Sequence, residues 1–170
     1  MQTNTQNIYI DTCFFQGYLW GKSDEKENAK AIFSKIEATV RRNPKIKVKI
    51  PFIVVGELIN NIIRENFWQK DRDEITHKFF ELREDLNADI IPPNKCCYNK
   101  AKLLIDRDRY LVEHAPTDTF IVSCALCDQD SAFLLTEDSL LLVSYSLKEL
   151  ERAMREEGKR NRQLKITNEF

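Results

Sequence analysis

Short apolar runs alternate with longer amphipathic stretches along the whole chain, and this alternation constrains the fold more than any other feature. Residues 7–13, NIYIDTC, read as a buried strand; KIKVKI at 45–50 sets Ile46, Val48 and Ile50 against alternating lysines; ADIIPP is a third strand, stopped by two prolines. SAFLLTED reads as a fourth strand and LKIT as a last strand at the sheet edge. Between them, SDEKENAKAIFSKIEATVRR carries Ala29, Ile32, Phe33, Ile36 and Val40 at helical spacing, with acids early and Arg41 and Arg42 late, as a helix dipole favours. Further helices are expected over FIVVGELINNIIRENF, with Pro51 at its first turn, and over DRDEITHKFFELREDL. Another spans 97–113, with Ala101, Leu104, Ile105 and Leu111 inward, and PTDTFIVSCALC and SLKELERAMREEG follow, the last opened by a Ser146–Glu149 capping box. QGYLWGKSDEKEN reads as a Gly-containing connection. Strands alternating with helices imply an α/β fold of three layers, α/β/α, around a central parallel sheet.

The chain has 170 residues, 42% of them hydrophobic, which suits one domain over 1–170 with a substantial core. Lysines and arginines number 26 and acids 27, so a net charge of -1 excludes attraction to nucleic acid by overall field. Five cysteines, an odd number without a secretory signal, suggest a reducing cytoplasm, and no apolar run approaches the roughly 18 residues of a membrane span. The expectation is a cytoplasmic protein with no membrane partner. None of the four glycines forms part of GxGxxG or GxxxxGK[ST], so neither a dinucleotide fingerprint nor a phosphate loop is present.

In an open parallel sheet, ligands bind beyond the carboxyl ends of the strands, where the strand order reverses. Four acids are expected at that rim: Asp11 after the first strand, Glu57 two turns into the helix after the second, Asp118 at the start of the helix before the fourth strand, and Asp138 at the end of the fourth strand. Asp11 and Asp118 each also suit helix capping. Glu57, flanked by apolar residues, must face a cleft or carry a desolvation cost of several kcal/mol. Ionised carboxylates about 5 Å apart repel by roughly 3 kcal/mol per pair at an effective dielectric of about 20, so a cluster of them needs cations. Hard oxygen ligands with no His or Cys set suit Mg²⁺ or Mn²⁺, and two such ions can clamp the attacking and leaving oxygens of a phosphodiester displacement.

IYIDTCFF, PFIVVGELINN, PTDTFIVSCAL and FLLTED, in this order, resemble the motifs of the PIN domain, the ribonuclease fold of many prokaryotic type II toxins. The resemblance runs from about residue 7 to 142 and implies a PIN-like fold and a metal-dependent endoribonuclease, with Asp11, Glu57, Asp118 and Asp138 holding Mg²⁺ or Mn²⁺. It implies that Thr136 bonds Asp138 or a water on the metal, that Thr12 supports in a lesser role, and that Glu137 stays outside. Single-stranded or structured RNA, an antitoxin that places an Arg among the carboxylates, and a second copy in a homodimer are the implied partners. The chain is longer than the compact toxins of that group around QGYLWGKSDEKEN and between Glu57 and Asp118.

Competing readings remain. The same fold without catalysis would be an RNA- or protein-binding module. A phosphotransferase with Asp11 as nucleophile wants a second Asp at position 13, which is Cys. Cys96, Cys97, Cys124 and Cys127 could form a four-thiol zinc site, although CALC reads as buried helix and its cysteines as core. His77 and His114 read as surface residues. RRNPKIKVK and KRNRQLK, with Tyr18, Trp20, Phe67 and Trp68 near loops, offer contacts for single-stranded RNA, or simply a solvated basic face.

Overall fold

The computed structural model of the chain describes residues 5–65 and 67–170. Five parallel strands, β1 (Gln6–Ile10), β2 (Ile46–Pro51), β3 (Asp89–Ile91), β4 (Ser131–Leu135) and β5 (Lys165–Thr167), form one sheet in the order β3-β2-β1-β4-β5. The chain winds outward from β1 through β2 to β3 and then returns to lay β4 on β1's free side. The order therefore reverses between β1 and β4, and their carboxyl ends bound the crevice. Ile8, Tyr9 and Ile10 of central β1 are buried on both faces, as a sheet covered by helices requires.

Nine helices among the described residues flank this sheet: α1 (Thr12–Trp20), α2 (Ser23–Arg42), α3 (Phe52–Arg64), α4 (Gln69–Asp85), α5 (Lys95–Arg107), α6 (Arg109–His114), α7 (Pro116–Cys127), α8 (Ser139–Val143) and α9 (Tyr145–Glu156). Phe15 of α1 joins the first helical group, its ring 5.4 Å from Phe33 of α2 and 5.3 Å from Phe79 of α4. The second group packs α5 against α6, α7 and α9. The arrangement is the three-layer α/β/α fold that the alternation implied.

Several local expectations are corrected. QGYLWGKSDEKEN is no loop: a helix begins at Thr12, immediately after β1, and runs through Trp20, so Tyr18 and Trp20 lie on helix α1. Gly17, which suggested a break, permits a close helix crossing, since a Cβ there would meet the Glu25 carbonyl of α2 at 3.4 Å. Pro51 ends β2 and caps α3 from outside rather than sitting in its first turn. Glu65 and Phe67 fall beyond α3, and Asn66, also assigned to that helix by its sequence, lies outside the described residues. The 97–113 stretch is broken at Asp108, whose carboxylate caps α6, and Ile105 faces solvent at 49% exposure. Ser144, not Ser146, caps α9 through the Leu147 N–H, and short α8 was not foreseen.

The cysteines and basic clusters also differ from expectation. Cys96 and Cys127 are paired in a disulfide linking α5 to α7, while Cys13, Cys97 and Cys124 are free. Two of the four thiols of the imagined zinc site are thus bonded to each other. KRNRQLK is not a solvated basic face throughout. The Arg160 side chain is wholly buried and donates to the carbonyls of Ala125, Leu126 and Asp128 at 3.0 Å and of Ser131 at 2.7 Å, with Glu151 alongside at 3.6 Å. It ties the end of α7 to the start of β4. His77 pairs with Glu81 on the surface, and His114 stacks on Tyr110.

Removing Arg160 leaves four carbonyls without their donor and Glu151 with Arg155 as its remaining cation. Arg160→Ala is expected to lower stability by about 3 kcal/mol in urea unfolding, against less than about 0.5 kcal/mol for the exposed neighbour Lys159→Ala.

Candidate metal centre

Each acid reaches the crevice by a different local device. Asp11 follows β1 directly and caps α1: its Oδ1 accepts from the Thr12 N–H at 2.6 Å. Its Oδ2 accepts from the Thr136 hydroxyl at 2.6 Å and lies 3.6 Å from the Cys13 thiol. Glu57 projects from the second turn of α3, and its Oε2 accepts from the Thr12 hydroxyl at 2.6 Å. Asp118 stands in the first turn of α7, whose cap position is Ala115, so its carboxylate caps nothing there and faces the crevice.

Ligand atoms of Asp11, Glu57 and Asp118 lie within 4.8 Å of one another. Asp138 is not in this tight set. Its Oδ1 caps α8 through the Leu140 N–H at 2.6 Å, and the side chain borders the set by hydrogen-bonding Asp118. Thr136 does bond Asp138, its hydroxyl accepting from the Asp138 backbone N–H at 3.0 Å, and it also donates to Asp11, so it binds two of the acidic segments to each other. Glu137 points outward to Asn28.

The charges are concentrated in poor solvent. Asp11 is 2% exposed, and burial, with Glu57's charge, pushes its carboxyl up to about 6 despite the Thr136 and Thr12 hydrogen bonds. Burial first, then Asp11, the Asp138 hydrogen bond and Glu57 push Asp118 up to about 8. Three mutually close carboxyl groups, two of them reluctant to ionise, fit a hard divalent cation that would take up the negative charge and keep some of its own waters. Cys13 was missed in the sequence, although its place two residues after Asp11 on the first turn of a helix puts it beside the same carboxylate. Its thiol, pushed up by burial and by Asp11, accepts from the Glu137 N–H at 3.2 Å and is an uncharged spacer in the site.

Fold and site together define a class: a doubly wound α/β protein with an acidic centre where the strand order reverses. The PIN domain family profile matches residues 8–163, and the chain belongs to that family, whose members are in general metal-dependent nucleases. No curated protein matches the chain. Among solved structures it is similar to that of VapBC2 from Rickettsia felis bound to a DNA fragment from their promoter, at a TM-score of 0.55 and 14% identity, covering 94% of this chain and 98% of that one. At that identity the likeness is one of fold. No helix among the described residues is long and apolar enough to cross a membrane.

Because Asp11 and Asp118 bind protons more tightly folded than unfolded, they support the fold fully below about pH 4 and withdraw that support as pH rises through about 6 and about 8. Metal-free protein should therefore lose several degrees of Tm between pH 5 and pH 8.5. Asp118→Asn should remove most of that loss, and Mn²⁺ should raise Tm more at pH 8.5 than at pH 5. Thr136→Val, which frees Asp11, is expected to weaken Mn²⁺ binding about 10- to 100-fold by calorimetry.

Proposed function

We propose that the chain is a divalent-metal-dependent endoribonuclease and the toxin of a type II toxin–antitoxin pair, acting as one domain. The convergence of Asp11, Glu57 and Asp118 to within 4.8 Å at the carboxyl rim of β1 carries this reading. A Mg²⁺ or Mn²⁺ ion held there supplies Lewis-acid activation of water and neutralises charge building on an RNA phosphodiester. The chain's own residues set the frame. Thr136 and the Thr12 N–H fix both oxygens of Asp11, the Thr12 hydroxyl orients Glu57, and Asp138 stands beside Asp118 as a fourth acid. With water as the nucleophile and the 3′ oxygen as the leaving group, the products would be a 5′-phosphate and a 3′-hydroxyl.

Family membership supports the nuclease reading, and the likeness to VapBC2 supports an antitoxin partner. A partner Arg directed into this crevice would pair with at least two carboxylates and compete with the metal for them.

Purified protein should cleave end-labelled RNA with Mn²⁺ or Mg²⁺ and not with EDTA. Asp11→Asn and Asp118→Asn should each reduce the rate at least about 10³-fold. Products ending in a 2′,3′-cyclic phosphate, or cleavage that survives both substitutions, would overturn the proposal. Binding of metal and RNA with no turnover would favour the non-catalytic module.

A further inference from the structure

A groove of about 640 Å³ opens directly beside the acid cluster and shares Glu57 with it. One wall is α3, which presents Phe52, Gly56, Asn60 and Arg64 at intervals of four residues, on a single helical face. Tyr98 of α5 and Phe120 of α7 form the other wall, their rings 5.1 Å apart and edge to face. Phe52 and Tyr98 are 58% and 60% exposed, so two large aromatic side chains stand open to water on facing sides of one cleft.

Gly56 is the independent clue. Glycine inside a helix is unfavourable by about 1 kcal/mol relative to alanine, and one use of it is to let a ligand approach the backbone closely. Among the described residues nothing fills that space: a Cβ built at Gly56 meets no atom within 4 Å. The residue is exposed and lines the groove between Phe52 and Asn60. Gly56 thus leaves the α3 backbone open at the groove wall.

We infer that this groove is a nucleobase slot that takes one unpaired base of single-stranded RNA next to the phosphodiester at the acid cluster; the inference rests on the ribonuclease reading. The volume lies within the roughly 300–1,000 Å³ of small-molecule sites. Tyr98 and Phe52 supply aromatic faces for stacking, and Asn60 and Asn61 supply amide donors and acceptors for a base edge. Arg64, at the end of the groove away from Phe52, supplies a cation for a flanking phosphate. Gly56 allows the flat base to approach the helix backbone. A base-paired strand has no free face to offer such a slot, so the chemistry selects single-stranded segments.

The test uses the full chain carrying Asp11→Asn, with Mg²⁺, and a fluorescent single-stranded RNA oligonucleotide read by anisotropy; cleavage by the unsubstituted protein is assayed in parallel. Gly56→Leu, a better helix former with a side chain in the groove, should raise Tm by about 2 °C and yet weaken RNA binding about tenfold or more. Tyr98→Ala should weaken it about tenfold. A ribose-phosphate oligomer of the same length without bases should bind more weakly and equally well to parent and variants. RNA affinity unchanged within twofold in both variants, while the unsubstituted protein still cleaves RNA, would overturn the slot alone and leave the groove to a protein segment. A fall in Tm for Gly56→Leu would show that packing demands the glycine and would overturn the argument from it. No binding and no cleavage of RNA would overturn both readings together.

Discussion

The rim of the sheet depends on keeping one carboxylate, that of Asp11, in a place where water hardly reaches it. Burying such a group unpaired would cost several kcal/mol, and two short donors offset much of that cost, one from the first turn of α1 and one from the segment after β4. The carboxylate consequently joins β1, α1 and the β4 end. Glu57 and Asp118 work against this balance by adding like charge. The centre is therefore arranged for a cation rather than for maximal stability without one, a common pattern where function opposes folding.

Helix α7 connects this acidic rim to the opposite end of the sheet. Its first turn carries Asp118, where the positive end of the helix dipole favours an anion, and its last carbonyls receive the buried guanidinium of Arg160, where the dipole favours a cation. The disulfide from Cys127 to Cys96 adds a covalent tie at that same end. A helix held so firmly at its far end presents Asp118 at a fixed height above the sheet. The positioning of Asp118 is thus secured about two and a half turns away from it.

Much of this is readable in the residues themselves, and the exceptions have physical causes. The parallel sheet follows from apolar runs too short for helices set between amphipathic stretches. Asp11, Glu57 and Asp118 fall at the rim because each sits just past a strand or early in a helix. Helix α1 is hidden because Gly17 within it and Gly21 just past its end resemble breakers and because Asp11, the residue that caps it, also reads as a ligand. Arg160 is hidden because an arginine among lysines reads as solvated, and only the fold shows four carbonyls converging on it. Asp138 borders the tight acidic set without joining it, a difference that spacing along a chain does not encode. The Cys96–Cys127 pair was equally invisible, since linear order gives no preference among five cysteines.

The hydrogen bond from Thr136 to Asp11 spans 125 positions of the chain. A ribosome builds from the amino end, so a growing polypeptide that has completed β1, β2 and β3 possesses Asp11 and Glu57 but neither Asp118 nor Thr136. The central strand itself lacks its β4 neighbour at that stage. A half-made molecule therefore has no assembled acid cluster, which completes only when the last third of the chain closes the sheet. If the protein cleaves RNA as proposed, this order of assembly would keep the acid cluster incomplete while the chain is still being made.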